Sequence, residues 1–150
     1  MSLTVSKLGL AAAQFGLDGM NASPRSRSPE SEARDILNIA ARARLSVLDV
    51  SGVYGRSESV LGDLIPRPVS CRVTLAAARA DRGPDFVEAE ARGSLRSLGL
   101  ERADTIVVQS PSELFGVHGP AMWDRLLRLR EQGLFRNIGL SAHATDDPVG

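Results

Sequence analysis

Asp49 and Tyr54, five positions apart, are the first residues in this chain that could do chemistry. A phenol is a proton donor, but an unperturbed tyrosine has a pKa of about 10, so its proton becomes available near neutrality only with help from its surroundings. Taken alone, the pair reads first as a capping Asp and a half-buried structural Tyr. Help from a lysine amine would have to come from Lys7, because the chain has one lysine and 17 arginines. Arg79 is a cation at the end of the third predicted strand. A guanidinium supplies positive charge but does not yield a proton near pH 7, and the plainer reading of Arg79 is a solvated loop residue. Gln109 carries an amide that can hydrogen-bond a carbonyl oxygen. Of the two histidines, His118 falls in a loop and His143 follows the last strand-like segment; a loop histidine of no special role is the simpler reading of each. Cys71 is alone, so the chain forms no internal disulfide, and no set of residues has metal-ligand spacing.

The bulk numbers narrow the field. The 150 residues suit one ordinary domain, and 43% hydrophobic with 24% charged residues suits a folded, soluble chain. Formal net charge is zero, which leaves no electrostatic footprint for nucleic acid or an anionic membrane. Residues 1–7 lack the apolar core of a signal peptide, and no apolar run approaches the roughly 20 residues that span a bilayer. The expectation is a cytoplasmic protein.

The elements that would position these residues alternate in type. Apolar runs predict strands over Leu8–Phe15, Leu45–Val50, Cys71–Ala77, Asp104–Gln109 and Arg136–Ser141. Between them, helices are predicted from Pro29 to about Arg44, with a stripe of Ile36, Leu37, Ile39, Ala40 and Ala43, and then over Ser57–Ile65, Pro84–Leu98 and Pro120–Gln132. Gly99 and Gly133 close the last two. Such alternation means a parallel sheet with right-handed crossovers. Periodicity permits either an open doubly wound sheet or part of a barrel. The first strand is not followed by G-x-G-x-x-G, which counts mildly against a dinucleotide-binding Rossmann domain.

Four ordered segments decide for the barrel. They are LGLAAAQFG from Leu8, LDVSGVYGRSESVLG from Leu48, RGSLRSLGLERADTIVVQSP from Arg92 and LLRLREQGLFRNIGLS from Leu126. Together they resemble the first strand, the strand-2 segment with its Asp and Tyr, the helix-3 to strand-4 stretch and the helix-4 to strand-5 stretch of the aldo-keto reductase family. The resemblance implies an α/β fold: half of a (β/α)8 TIM barrel, with about five parallel strands and four intervening helices. Such barrels typically run to about 250 residues, so residues 1–150 are expected to form the N-terminal part of one, a single incomplete domain. Leu48, Val50, Val73, Leu75, Ile106 and Val108 are expected on the inward face, where they would lack the opposite wall. Open sheet edges at the first and fifth strands are expected to favour self-association.

The resemblance also implies a chemistry. The family reduces carbonyls with NADPH: the nicotinamide gives a hydride and a Tyr gives a proton. A Lys held by an Asp makes that proton available, and a His orients the carbonyl. Asp49 and Tyr54 match the catalytic Asp and Tyr. At the Lys position the chain has Ala76-Ala77-Ala78, and at the His position Gln109. Gln109 and His143 are the substrate-orienting candidates. Ser141 matches the serine that holds the cofactor's carboxamide, while the Asn that usually follows is Ala142 and the strand-1 Gly-Thr pair is Ala11-Ala12. Most phosphate contacts of the family fall beyond residue 150, so tight NADPH binding is not expected. Two readings stand: an NADPH-dependent carbonyl/alcohol oxidoreductase, acting on a small carbonyl substrate with weak or no activity as this chain, and a truncated or degenerate non-catalytic relative, a pseudoenzyme fragment or interaction module.

Overall fold

The computed structural model describes residues 7–15, 30–52 and 56–142. They form β1 (Gly9–Ala11), a 3-10 turn (Ala12–Phe15), α1 (Glu30–Arg42), β2 (Val47–Val50), α2 (Ser57–Leu64), β3 (Arg72–Ala76), a 3-10 turn (Ala80–Arg82), α3 (Pro84–Ser97), β4 (Ala103–Val108), α4 (Ser112–Phe115), α5 (Gly119–Glu131) and β5 (Phe135–Leu140). The strands make one parallel sheet in chain order, β1-β2-β3-β4-β5. Helix ends follow local chemistry. Glu30 and Glu32 lie in the first turn of α1 and Arg42 in its last, each complementing the helix dipole. Pro stands at the start of α3 and of α5, where its missing N–H costs nothing. Gly99 and Gly133 end these helices with φ of 63° and 81°, a conformation that disfavours side chains.

The chain separates into two compact units, Met1–Thr74 with Ser97–Gly99, and Leu75–Arg96 with Leu100–Gly150. In the first, β1 pairs with β2 in the register Gly9–Val47, Leu10–Leu48 and Ala11–Asp49. A cavity lined by Leu37 and Ala40 of α1, Leu10, Leu48, Ile65 and Cys71 lies within this unit. The Arg67 guanidinium donates to the carbonyls of Gly62 (3.3 Å), Leu98 (2.5 Å) and Gly99 (3.2 Å). It thereby satisfies acceptors that helix ends leave open. Gly62 packs directly against the Ser97 carbonyl, in a space that no β-carbon could share.

In the second unit β4 pairs with β5, from Ala103–Phe135 to Val108–Leu140. Val87, Ala91, Leu95, Met122, Leu126, Leu129 and Phe135 supply buried side chains. Polar contacts tie α3 to α5. Arg125 bonds Asp85 at 2.8 Å and Glu88 at 2.6 Å, Arg92 bonds Glu88 at 2.8 Å, and Arg92 reaches Gln132.

Several expectations need correction. The first strand is three residues long rather than eight; the chain turns into a 3-10 helix at Ala12, in an Ala-rich stretch without β-branched residues. Ile39 is 63% exposed and leaves the α1 stripe, whose buried members are Ala33 and Leu37. Leu48, Val50, Val73, Leu75, Ile106 and Val108 do not lack a wall, since none is more than 5% exposed. The half-exposed face of the strands carries the alternate residues Val47 and Asp49 in β2, Thr74 and Ala76 in β3, and Thr105 and Val107 in β4. A side-chain period of two turned the assignment over completely.

Candidate active site

In the first unit Asp49 sits in β2 on the half-exposed face, between the buried Leu48 and Val50. Its register partner on β1 is Ala11. Burial pushes the Asp49 carboxyl above the usual range for an aspartate. Just beyond the strand, Ser51 is buried, and its carbonyl accepts the Ser57 hydroxyl at 3.4 Å, which ties the strand end to the start of α2. The Glu58 carboxylate lies beside Gly52: a β-carbon there would stand 3.7 Å from Oε1. Tyr54 lies outside the described residues, as does His143.

In the second unit the sheet ladder runs past the ends of its strands. The Ala77 N–H donates to the Val107 carbonyl at 2.8 Å, and the Ser141 N–H donates to the Val108 carbonyl at 2.8 Å. Gln109 follows Val108 directly. Three positions singled out in the sequence, the Ala76–Ala78 stretch, Gln109 and Ser141, are therefore brought together at neighbouring C-terminal strand ends. Barrel enzymes keep their chemistry at such ends. Gln109 is exposed, and its amide donates to the Val107 carbonyl at 3.4 Å. Ser141 is half-buried. Ala77 shares the buried face of β3 with Val73 and Leu75, whereas Ala76 and Ala78 are half-exposed. A side chain that must reach the open face would come from Ala76 or Ala78. Arg79 pairs with Asp81 at 3.6 Å, both well exposed.

Sequence reasoning missed one contact here. The Glu113 carboxylate of α4 accepts the Ala80 N–H at 2.7 Å. The pattern Ser110-x-x-Glu113 is a helix-start signature and could have revealed α4. No local pattern shows that the Glu113 side chain would serve a different loop. No group of three or more His, Cys, Asp or Glu that could hold a metal occurs among the described residues.

Comparison with known proteins agrees with this architecture. The model of the aldo/keto reductase family matches residues 7–147. The chain belongs to the aldo/keto reductase family. It is 30% identical over 128 residues to an aldo-keto reductase of Mycolicibacterium vanbaalenii, covering 81% of this chain and 45% of that protein. Against a relative from Mycolicibacterium smegmatis it is 29% identical over 122 residues, covering 79% and 42%. The chain thus spans less than half the length of these curated relatives. A solved protein of Pseudomonas aeruginosa assigned to the aldo-keto reductases superposes with a TM-score of 0.79 at 25% identity, covering 94% of this chain and 57% of that one. A Bombyx mori aldo-keto reductase, solved in complex with NADP, gives 0.64 at 20% identity, covering 89% and 45%, a likeness of fold. The α/β reading with five parallel strands holds, and the solved relatives are (β/α)8 barrels of which the chain covers about half.

Proposed function

We propose that this protein descends from NADPH-dependent carbonyl/alcohol oxidoreductases and, as this chain, turns over weakly or not at all. One observation carries the reading: Ala76, Ala77, Ala78 and Gln109 stand at the ends of β3 and β4, the positions that the resemblance assigns to the family's Lys and His. Asp49 and Tyr54 remain at the positions of the family's lysine-holding Asp and proton-donating Tyr. Burial of the Asp49 carboxyl with Ala11 as its register neighbour supports a site that has lost its cation. Gln109 would orient the carbonyl oxygen through its amide, with His143 as a second candidate. Ser141 fits a nicotinamide carboxamide through its hydroxyl; Ala142 offers no side-chain polar group, so the fit at that end rests on one residue. Bound NADPH would supply hydride. The substrate class is small carbonyl compounds, in the cytoplasm. No helix among the described residues is long and apolar enough to cross a membrane.

The test compares the chain with its Ala78→Lys/Gln109→His variant. NADPH consumption is followed by absorbance against a panel of small aldehydes and ketones. The expected outcome is near-background turnover for the chain, and a clear rise for the two substitutions once they are carried in a full-length barrel that supplies the phosphate contacts. Turnover by the unaltered chain at ordinary enzyme rates, about 1–1000 per second, would refute the reading.

A second reading, a non-catalytic relative that acts as an interaction module, draws on the same alanines and on β5. Leu140 is 45% exposed on that last strand of the sheet order, and self-association would go through this edge. Light scattering across a concentration series checks it. A monomer at every concentration counts against it.

A further inference from the structure

We propose that Glu113 is a positioning residue. Its carboxylate fixes the Ala77–Ala80 turn, and with it the placement of Ala78 relative to Gln109. The inference deepens the functional reading above and rests on it only for its meaning in catalysis.

The first N–H groups of a helical turn have no partner within the turn and are usually capped by a nearby Ser, Thr, Asp or Asn. At the 3-10 turn Ala80–Arg82 the preceding residue is Arg79, which makes no side-chain cap. The acceptor comes instead from 33 residues away: Oε2 of Glu113 takes the Ala80 N–H at 2.7 Å in a partly buried setting. A capping task that one local side chain could perform is thus assigned to the loop that follows β4.

The helix carrying Glu113 packs through its backbone on the start of α5, where Gly119 lies against the Glu113 and Leu114 carbonyls, and few of its side chains hold it. α4 is four residues long and buries none of them fully. Phe115 at its end is 87% exposed, and Val117 just after it is 95% exposed. Neither helix propensity nor apolar burial accounts for so short an element. Its own backbone is set from the β4 side, through the bonds from Glu113 N–H to the Ser110 carbonyl (3.1 Å) and Leu114 N–H to the Pro111 carbonyl (3.0 Å). Ser110 and Ser112 share a hydroxyl bond at 2.9 Å. Gln109 therefore leads into a small rigid turn whose carboxylate grips the turn leading out of β3. The Ala77–Val107 bond joins the same two segments at the strand ends. Between these two ties lie Ala78 and Arg79 on one side and Gln109 on the other.

Two substitutions break the contact from opposite ends. Glu113→Ala removes the acceptor. Ala80→Pro removes the donor and adds ring carbons at a position 5% exposed; Arg79 has φ −63° and ψ 140°, the conformation preferred before proline, and proline suits the first position of a helical turn. Glu113→Gln keeps an acceptor oxygen at the same reach. Nuclear magnetic resonance on the full chain reads three things: exchange of the Ala80 amide, the Ala78 amide signal and the Gln109 side-chain amide signal. We expect Glu113→Ala to speed Ala80 exchange about tenfold or more and to move the Ala78 and Gln109 signals. Ala80→Pro should move the same two signals, and Glu113→Gln should leave all three near the wild-type pattern. Unchanged Ala80 exchange in Glu113→Ala overturns the proposal. So do Ala78 and Gln109 signals that stay put in both disrupting variants, or a Glu113→Gln that behaves like Glu113→Ala. Turnover by the unaltered chain keeps the two proposals distinguishable. If the unaltered chain turns over at ordinary enzyme rates while the signals respond as expected, the functional reading fails and the positioning role stands.

Discussion

Asp49 stands in register with Ala11 on the adjoining parallel strand, so a half-buried carboxylate has a methyl group as its cross-strand neighbour. Burial raises its pKa, which means the folded state resists its ionisation. A raised carboxyl contributes its stability in full below the unfolded pKa. That contribution is lost as pH climbs through the folded value. Asp49→Asn should therefore melt higher than the parent at pH 7 and at the same temperature near pH 3. Thermal unfolding followed by circular dichroism at both pH values checks this, and a parent that melts higher at pH 7 contradicts it.

Lysine scanning at the end of β3 should separate by face. Ala77 is 7% exposed on the buried side, so Ala77→Lys places an unpaired ammonium in the core and should cost on the order of 3 kcal/mol. Ala78→Lys, on the half-exposed side, should stay within about 0.5 kcal/mol of the parent. Urea denaturation of both variants decides the matter. Equal midpoints would mean that the two positions do not lie on different faces.

The ties between α3 and α5 should titrate in the opposite sense to Asp49. Hydrogen bonds from Arg92 and then from Arg125 hold Glu88 below the ordinary glutamate range. A lowered carboxyl contributes stability above the unfolded pKa, and that stability is lost as pH falls through the folded value. Glu88→Gln should lower the melting temperature modestly at pH 7 and leave it unchanged well below the ordinary glutamate pKa. The gap at pH 7 should shrink in about 1 M salt, where the screening length is about 3 Å. A gap that persists at acid pH would assign the effect to packing.

Gly62 should tolerate nothing larger. A β-carbon at that position would collide with the Ser97 carbonyl, which is backbone and cannot swing aside. Gly62→Ala is expected to cost about 1–3 kcal/mol, seen as a lower urea midpoint. Gly93→Ala serves as a control, because its nearest neighbour to an added β-carbon is the flexible end of Arg96 at 3.8 Å.

The order of the five strands and of α1, α2, α3 and α5 was legible because strand and helix periods differ and because Pro84, Gly99, Pro120 and Gly133 punctuate them; α4 and the two 3-10 turns were not. Which face of each strand is buried was not. In β2 the charged Asp49 sets one face apart from Leu48 and Val50, but Thr74 and Ala76 in β3 and Thr105 and Val107 in β4 are too weakly polar to mark which side of those strands is wet. The shortness of β1 was also hidden, since Ala11, Ala12 and Ala13 suit a strand end or a helical turn equally. At the site, Gln109 and Ser141 were found by their place after β4 and β5, which motif order fixes. Glu113 escaped because its partner is 33 residues away and is a backbone N–H, a group every residue but proline carries.

The bonds that set Ala77, Gln109 and Ser141 side by side are all main chain to main chain: Ala77 to Val107 and Ser141 to Val108. Backbone hydrogen bonds take no notice of which side chain they carry. Folding therefore exerts little pull on the exposed Gln109 or the half-exposed Ala78, and such positions can change identity with almost no effect on stability. Only selection for turnover would hold a lysine or a histidine there. The same indifference works in reverse. A lineage that had let both residues drift would keep the seats they occupied, and refilling those seats would call for side chains alone.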